Sequence, residues 1–423
     1  MTPNFKSLFR LPGRITRSLA VIALLAAINA ASGMQAQTFT VIHSFTNGAD
    51  GGVPRAGLTY ISPGSFYGTT MFGGKVVHLC DWLDETPGCG TVFKLSHFSS
   101  GWILTPIYSF DTTHGDGILP LGRVTIAPDG TLYGTTLGGP GNTSGGTVFH
   151  LSPSPVATKK VALAPWNERV MYAFSGGSDG RSPTGDLIFD RSGSIYGSAS
   201  VLYKLTSPGN GLWTETVIDP EGPDGGVILD SAGNLYGTVP GGDLYGCGGI
   251  HKWSLSRLGW IEQTLYNFTG GSDGCRPSGG LIVDTSGALY GTTTGQGGGG
   301  ATVFKLTPST AAWSFELLFS FTDGGVPQGK LLIDAAGNLY GATQFNGVYQ
   351  RGSIFELQHS NGTWSYRSLH DFTGGSDGWN PVGSLVMDVN GKLYGTTTMG
   401  GTGTGGCGLS GYAGCGVAFE ITP

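Results

Sequence analysis

Between Leu281 and Phe321 the apolar residues come in short runs separated by turn residues. Leu281–Val283 is apolar and stops at Asp284, before a Thr-Ser-Gly turn. Leu289–Thr293 is a second run; a glycine-rich stretch follows, then Thr302–Leu306 as a third. Trp313–Phe321 is a fourth, rich in aromatic and apolar residues. Four such runs with turn chemistry between them predict an antiparallel four-stranded meander.

The second run recurs along the chain as FYGTT, LYGTT, IYGSA, LYGTV, LYGTT, LYGAT and LYGTT, with tyrosines at 67, 133, 196, 236, 290, 340 and 394. A period near 50 residues with four strands per unit predicts an all-β, seven-bladed β-propeller; a β-solenoid has shorter coils. The first run of each unit, such as Leu331–Ile333, suits an inner strand covered on both faces. In five units it ends in Asp with Gly three residues later (Asp190, Asp230, Asp284, Asp334, Asp388). Turn chemistry accounts for these five carboxylates. In the fourth run Trp and Phe stand eight apart (102/110, 166/174, 260/268, 313/321, 364/372). An even spacing predicts that both rings lie on one strand face, packing unit against unit.

The chain stops in Val417–Thr422, a third strand, and after its first 36 residues it starts in Phe39–Phe45, a fourth. The N-terminal strand is therefore expected to complete the last blade, pairing antiparallel with Val417–Ile421 and leaving no open sheet edge. Residues 1–36 read as a signal peptide: Lys6, Arg10, Arg14 and Arg17 precede an apolar run, then small residues up to a cleavage site after Ala36 or Gly33. Residues 37–423 form a single domain in this reading. The protein is expected to be secreted or periplasmic, monomeric, and not inserted in a membrane after cleavage.

The repeating elements GGSDG-x-x-P-x-G, LIxD-x-x-G-x-LYGTT and GTVFKL, spread over 39–423, resemble the GloVer-type tandem repeats of secreted bacterial proteins. The resemblance implies export and brings no activity with it. The chain ends at Pro423 with no sorting tail, so free release, or an anchor supplied by another component, is expected.

Composition narrows the function. The first 36 residues hold four basic and no acidic side chains, leaving 18 basic and 28 acidic residues for the rest. A net −10 argues against nucleic acid as a partner. Glycine, 77 of 423 residues, falls at repeating positions and marks turns. Six cysteines in an exported chain predict three disulfides. The loops joining strands 2–3 and 4–1 share one end of every unit, here called the top, and all six cysteines fall there. Proximity predicts Cys80–Cys89, Cys247–Cys275 and Cys407–Cys415. Without CxxC or histidines at ligand spacing, no metal and no cofactor is expected.

A residue that recurs in every unit is needed by the unit; one that breaks the pattern calls for another reason. Asp50, Asp116, Asp179, Asp224, Asp273, Asp323 and Asp377 recur in the 4–1 turns and are read as turn residues. One position at the start of the inner strand is small in Gly57, Gly280 and Ser384 but charged in Arg123, Asp186 and Lys330. These three, near the mouth of a central channel, are the leading ligand-binding candidates. His114, Arg181, Arg276, Trp379 and Asn380 join them, with Arg55 and the loop residues His78, Asp81, Trp82, Asp84, Glu85, Tyr349, Arg351 and Tyr412. Small residues at the same position elsewhere suggest that Arg123 and Lys330 can be trimmed at little cost in stability. No nucleophile constellation stands out. The expected function is a secreted binding or surface-interaction module, with a glycan or protein ligand at the top channel mouth. The alternative is a carbohydrate-active enzyme such as a polysaccharide lyase, using Arg123, Arg181, Lys330 and His114.

Overall fold

The computed structural model describes residues 37–75, 80, 88–111, 115–140, 143, 145–154, 166–209, 211–295, 300–310, 312–403, 407 and 414–423. The signal-peptide segment, His114, His78, Asp81, Trp82, Asp84, Glu85 and Tyr412 lie outside them. No helix occurs among the described residues, so none is long and apolar enough to cross a membrane.

The chain is a succession of meanders. After β1 (Thr38–Ser44), unit one is β2 (Thr59–Ser62), β3 (Ser65–Thr70), β4 (Thr91–Phe98) and β5 (Gly101–Ser109). Unit two is β6 (Ile118–Pro120), β7 (Thr125–Ile126), β8 (Leu132–Gly138), β9 (Thr147–Pro153) and β10 (Trp166–Ala173). Unit three is β11 (Thr184–Phe189), β12 (Ile195–Ser198), β13 (Leu202–Thr206) and β14 (Thr214–Asp219). Unit four is β15 (Asp224–Leu229), β16 (Leu235–Val239), β17 (Gly249–Ser256) and β18 (Gly259–Asn267). Unit five is β19 (Pro277–Val283), β20 (Leu289–Thr293), β21 (Ala301–Thr307) and β22 (Ser314–Phe321). Unit six is β23 (Pro327–Ile333), β24 (Leu339–Thr343), β25 (Ser353–Ser360) and β26 (Thr363–Asp371). Unit seven is β27 (Val386–Met387), β28 (Leu393–Thr397) and β29 (Val417–Thr422).

Within each unit the strands pair antiparallel in sequence order, except that in unit two β6 and β7 both pair with β8. Units three and four share one sheet through a parallel bridge between Asp186 and Gly226. The last unit gains its fourth strand from the N-terminus: β1 pairs antiparallel with β29, Phe39 opposite Ile421 and Ser44 opposite Val417.

The fourth strand corrects the sequence reading. In all seven units it carries one extra residue at a β-bulge: Ile42, Ile107, Met171, Ile218, Leu265, Leu318 or Leu369. An extra residue shifts the alternation, so a spacing of eight no longer means one face. Trp166 therefore packs on Tyr67 of the preceding unit, and Trp260 and Trp313 do the same on Tyr196 and Tyr236. The Phe beyond the bulge faces the following unit. Phe110 meets Phe149 at 5.1 Å, Phe268 meets Phe304 at 5.1 Å, and Phe321 meets Phe355 at 5.5 Å. Phe174 meets Tyr203, Phe372 meets Phe419, and Phe45, just after β1, meets Phe93 of unit one. Most of these rings are fully buried, and they form the core between sheets.

Only the junction of units three and four differs. There the fourth strand ends early and His251 replaces the third-strand Phe. Instead the indole N–H of buried Trp253 donates to Asp219 at 2.6 Å.

Candidate functional site

Each inner segment begins with the same tetrapeptide frame: proline, a variable residue, glycine or Ala56, and a second variable residue. The third position is small because the next unit's backbone lies against it. A Cβ on Gly225 would meet the Gly280 amide, one on Gly279 the Gly329 carbonyl, and one on Gly383 the Gly57 amide. Hydroxyls of the second strands tie units together as well. Thr69 donates to the Gly122 carbonyl at 3.1 Å and Thr396 to the Ala56 carbonyl at 2.9 Å. The hydroxyl of Ser198 donates to the Pro223 carbonyl in the same way. The tetrapeptides of all seven units consequently line one central cavity of about 180 Å3.

Arg123, Asp186 and Lys330 occupy the fourth tetrapeptide position and meet in this cavity. The Arg123 guanidinium donates to Asp186 Oδ2 at 2.6 Å, and Lys330 Nζ lies 3.4 Å from the same oxygen. Burial alone would raise the Asp186 carboxyl; the two cations outweigh it and hold its pKa down to about 2. The Lys330 amide also donates to the Ser384 hydroxyl at 2.9 Å. Arg55 and Asp224, at the second tetrapeptide position, stand on the same wall. This geometry alters two readings. First, removing both cations would strand a buried carboxylate, so they are not free to be trimmed. Second, Asp224 is not a turn residue. Unit four has a shortened 4–1 connection, and Asp219 takes the turn position, accepting from the Glu221 amide at 2.8 Å.

Of the other described candidates, Arg181, Arg276, Trp379 and Asn380 do not line the cavity. Arg276 and Asn380 precede the tetrapeptide proline and have φ of 57° and 62°; Val53, Leu119 and Ser182 share this position and conformation. The amide of each donates to a carbonyl of the preceding unit, Arg276 to Cys247 at 2.7 Å and Asn380 to Arg351 at 3.0 Å. Five recurrences make the strained backbone part of the unit-to-unit joint. Arg181 and Trp379 stand one residue earlier. Arg181 is exposed, and Trp379 is buried beneath the Arg351 guanidinium, 4.0 Å from the ring centre.

The 4–1 carboxylates are mostly committed to their turns. Thr46, Ser175, Thr269 and Thr373 donate through backbone and hydroxyl to Asp50, Asp179, Asp273 and Asp377. A Tyr or His of the preceding strand adds another bond, as Tyr266 does to Asp273 at 3.0 Å. The disulfides are Cys80–Cys89, Cys247–Cys275 and Cys407–Cys415; the second joins the 2–3 loop of unit four to the 4–1 turn entering unit five.

Sequence comparison bears on the whole array. The model of the Gloeobacter/Verrucomicrobia repeat matches residues 31–203 and again 199–409. The chain belongs to the Gloeobacter/Verrucomicrobia repeat family. No curated protein matches this family member's sequence significantly. Among solved structures, a protein from Lactobacillus plantarum is 12% identical with a TM-score of 0.50, covering 78% of this chain and 95% of its own. A protein of unknown function from Dyadobacter fermentans is 11% identical with a TM-score of 0.46, covering 92% and 99%. A gluconolactonase from Xanthomonas campestris is 12% identical with a TM-score of 0.36, covering 60% and 74%. At such an identity the likeness to the Lactobacillus plantarum protein bears on the fold alone, and the two weaker likenesses carry no argument.

Sequence reasoning missed two recurring features of this repeat. The LYGTT tyrosine donates to the Asp six residues before it: Tyr236 to Asp230 and Tyr290 to Asp284 at 3.0 Å, Tyr394 to Asp388 at 3.2 Å. The hydroxyl ties between units were missed as well. The signal for the first was the recurrence of Asp and Tyr six residues apart; the ties end on backbone carbonyls at separations of 25, 53 and 340 residues and left none.

Proposed function

We propose that the seven units close into a seven-bladed β-propeller acting outside the cytoplasm as a binding module, its ligand a polar group the size of one sugar residue seated at the top channel mouth. One observation carries this reading. A position that is Gly or Ser in four units is Arg123, Asp186 and Lys330 in the others, and these three converge on one carboxylate oxygen in the central cavity. The repeat does not need charge there, since four units fold without it. The cavity is too small for a folded partner but admits a terminal sugar, whose hydroxyls suit mixed donors and acceptors. The buried hydroxyl of Ser278, on the same wall, has no hydrogen-bond partner among the described residues. Three disulfides fit an oxidising compartment.

The test is a glycan array with the protein and a variant carrying Arg123→Ser, Asp186→Ser and Lys330→Ser together. Replacing the whole network leaves no uncompensated charge, so the variant should fold. Loss of array signals from a folded variant, equivalent to at least ~1–3 kcal/mol for charge-assisted bonds, is the expected result. Unchanged signals would refute the site.

A further inference from the structure

The end of the units opposite the channel mouth carries a second set of cavities, one at each of two successive junctions. Between units four and five, Trp313, Tyr236, Lys252 and Asp230 line a cavity of about 370 Å3. Between units five and six, Trp364, Tyr290, Lys305 and Asp284 line one of about 440 Å3. The same four repeat positions build both. Each tyrosine hydroxyl donates to its Asp at 3.0 Å. Each lysine ammonium lies over the tyrosine ring, Lys252 at 5.7 Å and Lys305 at 5.4 Å from the ring centre. The tryptophans are half-buried: they pack against the preceding unit yet keep surface towards the cavity. Val283, 47% exposed, lines both cavities and joins them across the surface of unit five.

We propose that these two crevices are equivalent subsites for a neutral polysaccharide, each accepting one or two sugar rings. An indole with free surface offers a platform for the apolar C–H face of a pyranose, and a lysine beside a carboxylate supplies donor and acceptor for its hydroxyls. In the crevice between units four and five the lysine and aspartate balance one another, and the other crevice also holds Glu316 and Asp334, so neither favours a polyanion. Their volumes lie at the small end of ligand pockets and match single rings better than a peptide segment. Repetition at successive units suits a ligand that is itself a repeat, because a chain engaging both subsites gains from its raised effective concentration. This inference does not depend on the channel mouth.

Titration of the full protein with cellohexaose and mannohexaose, beside cellobiose and mannobiose, tests it by calorimetry and tryptophan fluorescence. At least one hexasaccharide should bind at least tenfold tighter than its disaccharide and shift the tryptophan emission. Trp313→Ala and Trp364→Ala should each weaken binding tenfold or more. Should either fail to fold, Lys252→Met and Lys305→Met keep the ring packing and should each weaken binding at least threefold. The inference is overturned if neither hexasaccharide binds at 10 mM or if the lysine variants bind as the parent does. It is overturned equally if binding is lost in the Arg123, Asp186 and Lys330 serine variant instead, which would place the sugar at the mouth.

Discussion

One position on the fourth strand shows how single residues set the character of a junction. Two residues after the strand's tryptophan stand Phe315 and Tyr366, which stack on Tyr266 and Phe319 of the preceding unit at 4.5 and 4.7 Å. In three consecutive units the same position holds Glu168, Glu215 and Glu262. Burial, reinforced by the charge of Asp116, pushes the Glu168 carboxyl up to about 8. Burial and Asp179 raise Glu215 as well. The folded protein thus keeps a proton on Glu168 that an unfolded chain releases near pH 4.5. Stability must fall as pH rises from there towards 8, and the penalty is complete above it. Glu168→Gln should therefore raise the melting temperature measured at pH 8.5 and leave it unchanged at pH 4. An equal gain at both values would remove the carboxylate pair as the cause.

At the scale of the element, the strands themselves were legible in the sequence, because short apolar runs between turn residues have few other uses. Leu289–Thr293 was read with its bounds intact, and the Leu281–Val283 run proved to be the end of a longer strand, β19. The bulges were not legible. Ile107 and Leu318 are apolar residues among apolar residues, and a period-two pattern does not announce where one of them is unpaired. Hence the Trp–Phe spacing pointed to one face when the rings serve two. Arg123, Asp186 and Lys330 were legible as exceptions to a repeat, but their ion pairing was not, since residues of units two, three and six are far apart in sequence and meet only in the folded chain. Arg276 and Asn380 misled for the opposite reason: their position tolerates many side chains, as its work is done by the backbone. Deleting the bulge residue Leu318 should turn Phe321 away from Phe355 and leave an unfilled core. The expected loss is ~3–5 kcal/mol, as for a buried aromatic removed outright, read by chemical denaturation. A loss below 1 kcal/mol would show that the bulge does not set the face.

Across the whole molecule, no unit buries its own core. Every junction is filled by an aromatic ring from each side, or by Trp253 and Asp219 where the ring is missing. Stability in this arrangement is collective, and it depends on the last junction as much as on any other. That junction is made by the N-terminal segment, which supplies both β1, the outer strand paired with β29, and, just after it, the Phe45 ring packed 5.4 Å from Phe93. A closed ring of seven units is the claim on which the channel mouth and the reading of its charges rest. Removing residues 37–46 tests it most directly, by comparing the thermal melt and solubility of the truncated protein with those of the chain that retains them. The account predicts a large fall in melting temperature or outright aggregation, because an unpaired β29 and an uncovered Phe93 would be left exposed. A truncated protein that stays soluble and melts at the parent's temperature would contradict the closure.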